Sequence, residues 1–152
     1  MPRDDFRCAH GLRVRWAEVD MQRVVFNAHY LTYIDTAIAE YWRQIDLPYP
    51  EQYVERYAAD LFLRKANIDY LGSAKYDDQL SVLCRVARLG RSSMTMQFEI
   101  WRDTLPAPAG PLVTADLIYV NVNVATMKAQ PLPDEVRTRV RDYERVAPAE
   151  SA

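Results

Sequence analysis

The segment Trp16-Ala17-Glu18-Val19-Asp20-Met21-Gln22-Arg23-Val24-Val25-Phe26-Asn27-Ala28-His29-Tyr30 places a carboxylate in a short loop directly before a long helical stretch. A positioned carboxylate can act as a nucleophile or as a general base. The start of a helix offers unpaired backbone N–H groups and the positive end of the helix dipole, so an oxyanion forming there is stabilised. Asp20 and the helix start behind it therefore suffice for hydrolysis. The bland reading is that Asp20 caps the helix or binds local amides, the commonest work of a loop aspartate.

The neighbouring residues carry similar alternatives. Asn27 has a side chain suited to the helix N-cap. His29 lies in the first helical turn near Asp20, as a packing residue or as a contact to ligand or water. Glu18 reads as a solvated residue at a strand end, and Asp35 falls on the polar stripe of the helix. The turn Arg88-Leu89-Gly90-Arg91-Ser92-Ser93 sets two arginines beside hydroxyls and exposed amides, which suits a phosphate as well as it suits a solvated hairpin.

Other hydrolytic and nucleotide-binding signatures are missing from the sequence. It has no Gly-x-Ser-x-Gly elbow and no His-Glu-x-x-His pair, and its four glycines, Gly11, Gly72, Gly90 and Gly110, cannot build a phosphate-binding glycine loop. Chemistry here must use a carboxylate, a histidine, or both, with no cofactor and no metal expected. Cys8 and Cys84 stand alone, without the paired spacing of a metal clip or a disulfide framework, and read as free thiols.

The elements that must position these residues are legible in the periodicity. Alternation of Leu12, Val14 and Trp16 against Arg13 and Arg15 predicts a strand over 10–16 with one face buried. Tyr30, Tyr33, Ile34, Ala37, Ile38, Tyr41, Trp42 and Ile45 recur at three- and four-residue steps, predicting a helix over 29–47 about 27 Å long, stopped by Pro48 and Pro50. Residues 51–60 form a polar connector with room for a helical turn. Strands follow at 61–71, 80–89, 93–101 and 112–124, broken at Gly72-Ser73, at Gly90-Arg91 and at a proline-rich loop around Pro106–Pro111. Met94, Met96, Phe98 and Ile100 share one face, as core or as a subunit contact. A short C-terminal helix is predicted over 133–146, with a frayed end beyond it.

One strand, one long helix and then an antiparallel meander is an α+β order, not a doubly wound sheet. With 152 residues, 49% apolar content and a net charge of −2, the chain suits a single domain over 1–152 with its core at about 10–124. A slightly acidic chain lacks the basic field that drives nucleic-acid binding. Arginine outnumbers lysine sixteen to three, which suits phosphate contacts but also follows from nucleotide composition alone. No apolar run approaches a bilayer span and the first residues are charged where a leader would be apolar, so a cytoplasmic location without membrane insertion is expected.

The order aromatic, small, acid, any residue, Asp, then seven residues ending in Asn-x-x-Tyr, as in Trp16–Asp20 and Asn27–Tyr30, resembles the active-site segment of the hotdog-fold acyl-CoA thioesterases. The branch is that of 4-hydroxybenzoyl-CoA thioesterase and the Tol-Pal-associated thioesterase. The resemblance runs from His10 to about Asn123. It implies one long helix on a curved antiparallel sheet of about five strands, and a homodimer or homotetramer with sites at the interface. It implies an acyl-CoA substrate cleaved to acid and CoA, with Asp20 attacking the thioester or activating water and the backbone amide of Asn27 polarising the carbonyl. It also implies CoA phosphates near Arg88, Arg91 and Ser92, and it makes Asp35 and Glu40 reserve candidates for a helix-borne acid. Two departures stand out: Met21-Gln22-Arg23 replaces the usual small or glycine residue after the aspartate, and Asn27 stands where His or Tyr is common. Two alternatives remain open on these residues. One is a hotdog hydratase or dehydratase using His29 with Asp20; the other is a non-catalytic acyl-CoA or acyl-carrier binder.

Overall fold

A computed structural model describes residues 1–151. Its elements in chain order are β1 (Cys8–Arg13), α1 (His29–Gln44), α2 (Glu51–Tyr57), β2 (Ala59–Tyr70), β3 (Gln79–Leu89), β4 (Ser93–Arg102), β5 (Val113–Asn123), α3 (Asp134–Tyr143) and β6 (Ala149–Glu150). The sheet runs β1-β3-β4-β5-β2 with antiparallel neighbours throughout, and the short β6 adds a parallel pair to β3. This is the α+β hotdog arrangement expected, with a sixth strand where the C-terminal end was expected to fray.

The predicted helix face is the buried one: Tyr30, Tyr33, Ile34, Ala37, Tyr41 and Trp42 all turn inward. They meet the row Met94, Met96, Phe98 and Ile100 of β4, which is buried as core. Each such side chain contributes roughly 1.5–3 kcal/mol on leaving water. The helix stops before the prolines do their work. Asp46 takes a left-handed φ of 58°, its N–H donates to Arg43 O (3.0 Å), and the N–H of buried Leu47 donates to Trp42 O (3.0 Å). That pair of bonds is a Schellman ending with its apolar contact, so α1 closes at Gln44 instead of at 47.

Two further boundaries differ from the sequence reading. The first strand ends at Arg13, because Arg15 begins a 3₁₀ turn over Trp16–Glu18, and Trp16 is 79% exposed instead of buried. The connector after Pro50 is a full helix, α2, whose Tyr53 is buried and donates its hydroxyl to Asn121 Oδ1 (2.7 Å). Cys8 and Cys84, isolated in sequence, face each other across β1 and β3 as free, buried thiols.

The helix packs closest to β1 and β3. β2 is an edge strand pairing only with β5, and Leu63, Tyr70 and Leu71 on and beside it are exposed. At one end of the sheet Tyr70, Val113, Ile100 and Val82 fall in register; at the other end Leu89, Met94 and Tyr119 do. At about 3.3 Å per residue the two ends lie about 23 Å apart along β3. The β3–β4 turn is tight enough that a Cβ on Gly90 would sit 2.4 Å from Ser93 Oγ.

Candidate active site

Residues 18–26 form a small hairpin that carries Asp20 near its tip. Phe26 N–H donates to Glu18 O (2.9 Å), Asp20 N–H to Val24 O (3.0 Å) and Arg23 N–H to Asp20 O (3.0 Å). Asp20 Oδ1 accepts the N–H of Gln22 (2.7 Å), a local Asx turn that fixes the side chain and leaves its other oxygen unused by protein groups among the described residues. The turn closes because Arg23 adopts a φ of 64°, the conformation a glycine would take without strain. Where the sequence lacks the usual small residue, an arginine takes the strained conformation.

The helix start faces the same space. Ala28 (φ −66°) precedes α1, and no side chain caps the helix, so Asn27 is not a side-chain N-cap. His29 N–H is bonded to Phe26 O (2.9 Å) and Tyr30 N–H to Asn27 O (3.4 Å), while the N–H groups of Asn27 and Ala28 find no acceptor among the described residues. Asp20, Asn27, Phe26, Tyr30, Tyr70 and Ser73 all line one cleft of about 330 Å³. A carboxylate and Asn27, whose N–H is unpaired at the positive end of a 16-residue helix, thus line one cavity.

The loop after β2 forms the far wall. Val25 N–H donates to Ala74 O (2.8 Å), Ala74 N–H donates to the hydroxyl of Tyr30 (2.9 Å), and Arg102 holds Ser73 O (2.6 Å) and Asp78 Oδ2 (2.9 Å). A second cavity of about 340 Å³, more apolar, opens on the other side of Asp20 between Trp16, Val19, Arg23 and Tyr76. The rings of Trp16 and Tyr76 meet edge to face at 5.5 Å.

Several sequence candidates fall elsewhere. His29 packs edge-on against Phe26 (6.0 Å between centroids), does not line the cleft and makes no hydrogen bond to Asp20. The histidine–acid pair that a hydratase would need is not assembled in this chain. Asp35 and Glu40 do not line the cleft either; partial burial nonetheless pushes the Asp35 carboxyl above the usual range. Arg88, Arg91 and Ser92 lie at the opposite end of the sheet from Asp20. There Arg88 donates to Ser151 Oγ (3.1 Å), Ser92 O accepts Asn121 N–H (2.8 Å), and Arg91 is exposed.

Glu18 corrects the reading of a solvated acid. It is 5% exposed, and Oε1 accepts both the N–H of Arg15 (2.7 Å) and the hydroxyl of Tyr33 (2.9 Å), while Oε2 accepts Arg15 Nε (3.1 Å). Burial pushes its carboxyl up, but these donors outweigh burial and hold it below the ordinary range. Nothing in its sequence neighbourhood distinguishes it from an exposed glutamate.

Residues 22–109 match the sequence pattern of the thioesterase superfamily. The chain is 28% identical over 126 residues to the acyl-CoA thioesterase YbgC of Haemophilus influenzae, covering 83% of this chain and 88% of that one. Among solved structures, a thioesterase-superfamily protein from Jannaschia superposes with a TM-score of 0.82 at 20% identity, covering 96% of this chain and 99% of the other. A 1,4-dihydroxy-2-naphthoyl-CoA thioesterase from Synechocystis gives 0.77 at 22% identity, over 88% and 95% of the two chains. A Staphylococcus aureus protein solved in complex with CoA gives 0.79 at 15% identity, over 95% and 88%.

Proposed function

Because the chain belongs to the thioesterase superfamily and is a thioester hydrolase, we propose that it cleaves acyl-CoA thioesters with Asp20 and the backbone amide of Asn27. The observation that supports this reading is the shared cleft: Asp20 and Asn27, whose N–H is unpaired ahead of α1, line one cavity. The thioester oxygen accepts the Asn27 N–H, and the carbonyl carbon lies toward the free oxygen of Asp20. In one route that oxygen adds to the carbon, the C–S bond breaks as CoA leaves as a thiolate that takes up a proton, and water then opens the acyl-aspartate anhydride. In the other, Asp20 takes a proton from water as the water adds. Both routes give one acid and one CoA, and neither requires a cofactor.

The site is completed by a second copy. A two-fold axis that pairs the open β2 edges antiparallel extends the sheet and covers the exposed wall at Leu63 and Tyr70. The same operation brings the partner's distal sheet end beside this protomer's Asp20 end. It is therefore the turn carrying Arg88, Arg91 and Ser92 in the other subunit that receives the CoA phosphates, in a homodimer or a pair of dimers. No helix among the described residues is long and apolar enough to cross a membrane; we place the enzyme in the cytoplasm, where acyl-CoA is made.

The test is free-thiol release over a panel of short, long and aromatic acyl-CoAs, with Asp20→Asn alongside. Wild type releases CoA, and the variant, nearly isosteric but unable to attack or take a proton, loses about 10²–10⁴-fold. Near wild-type turnover in Asp20→Asn would remove Asp20 from the mechanism.

A further inference from the structure

We infer that Glu18 and Tyr33 are positioning residues: their buried hydrogen bond fixes the hairpin bearing Asp20 against the helix whose start bears the Asn27 amide. The inference rests on the acyl-CoA reading above and adds two residues to it. The reacting groups sit on different elements. Asp20 belongs to hairpin 18–26, held at its base by Phe26 N–H on Glu18 O, and the amide belongs to the start of α1. Attack on a carbonyl held by that amide needs the two groups at a fixed separation, and a displacement of about 1 Å costs on the order of 10²-fold.

The Tyr33–Glu18 bond (2.9 Å) is the one side-chain hydrogen bond that runs directly from this hairpin to α1 among the described residues. Both partners are buried, Glu18 at 5% and Tyr33 at 3% exposure. Oε1 of Glu18 also takes Arg15 N–H, so a single oxygen ties together the 3₁₀ turn, the hairpin and the helix. Two further connections reach the Phe26 side of the hairpin: the backbone bond of His29 N–H to Phe26 O (2.9 Å), and an indirect one through Ala74, whose peptide bonds Val25 on one side and the Tyr30 hydroxyl on the other. Those bonds hold the returning side of the hairpin; the side that leads from Glu18 into Asp20 meets the body of the helix through Tyr33.

Tyr33→Phe removes the bond while keeping the ring in the core, and Glu18→Ala removes all of its acceptors. Each is expected to lower kcat by about 10–100-fold on acyl-CoA with KM within about twofold, because neither side chain touches the substrate. Glu18→Gln, whose amide oxygen still accepts from Arg15 N–H and Tyr33 hydroxyl, recovers most of the rate. In an Asp20→Asn background Tyr33→Phe has no further effect, since there is no attacking carboxylate left to place. The proposal is overturned if Tyr33→Phe keeps wild-type kcat in an enzyme that Asp20→Asn disables. It is equally overturned if Tyr33→Phe costs the same factor with Asp20 already replaced, which would mark a structural role. An active Asp20→Asn enzyme is a separate result and strikes the underlying mechanism itself. Because Tyr33→Phe leaves the core volume almost unchanged, it decides the matter even if Glu18→Ala fails to fold.

Discussion

Asp20 and Arg23 close a single tight turn, with the N–H of Arg23 donating to the carbonyl of Asp20 at 3.0 Å and Arg23 held at a φ of 64°. An L side chain in the left-handed region costs roughly 1–2 kcal/mol, which glycine avoids. Glycine gives back about 0.4–1 kcal/mol through the greater freedom of its unfolded chain. Arg23→Gly should therefore stabilise the fold by about 0.5–1 kcal/mol, a rise in Tm of about 1–4 °C for a domain of this size. A fall in Tm by calorimetry would mean the guanidinium makes up for the strain by a contact of its own.

The CoA assignment separates from the thioester chemistry by substrate. Arg91 is exposed at the sheet end far from Asp20, so a phosphate bound there is held equally in ground and transition states. Arg91→Ala should raise KM for acyl-CoA several-fold with kcat little changed, and should leave an acyl-pantetheine substrate, which lacks the nucleotide phosphates, unaffected. Equal losses on both substrates would show that Arg91 acts on the fold.

Glu144 gives a pH signature far from the site. Between β1 and β6 the edge of β3 lacks a strand partner, and Glu144 Oε1 fills the gap, accepting Val86 N–H (2.8 Å) and the Tyr41 hydroxyl (2.8 Å). Its Oε2 is buried without a partner, and burial raises the carboxyl above its ordinary range despite those donors. A raised folded pKa means the folded state holds the proton more tightly than the unfolded chain. The contribution is therefore fully present below the usual value of 4.5 and is lost as pH rises through the folded value. Subtracting the Tm of Glu144→Gln from that of wild type should give a difference that declines as pH rises through and above that range. A difference flat in pH would show that folding leaves the Glu144 carboxyl unshifted. Glu144→Ala should cost about 1–3 kcal/mol for each donor it orphans.

The reach of sequence reasoning differed between periodic and tertiary features. Tyr30 to Trp42 and Met94 to Ile100 could be placed because one buried face imposes a 3.6- or 2-residue period. The alternation that carried Trp16 into the first strand failed because the 3₁₀ turn at Arg15 is set by the side chain of Glu18, a local hydrogen bond that leaves no period. Burial of Glu18 is hidden for a different reason: its partner Tyr33 is 15 positions away. Asp20 was legible by its place before a helix. That Arg88 and Arg91 lie at the opposite end of the sheet follows only from strand register, which no local pattern displays.

The helix start offers the most discriminating test, because two adjacent amides are unpaired there and only one is assigned the oxyanion. Asn27→Ala should leave most activity and cost little stability, since the Asn27 side chain makes no capping bond. Asn27→Pro deletes the assigned donor, and losing one oxyanion donor typically lowers kcat about 10²–10³-fold. Ala28→Pro is the control: φ at Ala28 is −66°, close to the value proline imposes, and its N–H is the one not assigned to the carbonyl. Circular dichroism melts must accompany the rates, so that loss of activity is read only from folded variants. The expected order is Asn27→Ala and Ala28→Pro near wild type, with Asn27→Pro far below both. The reverse order, with Ala28→Pro folded and inactive and Asn27→Pro active, would move the oxyanion site one residue toward the helix and shift the carbonyl away from Asp20.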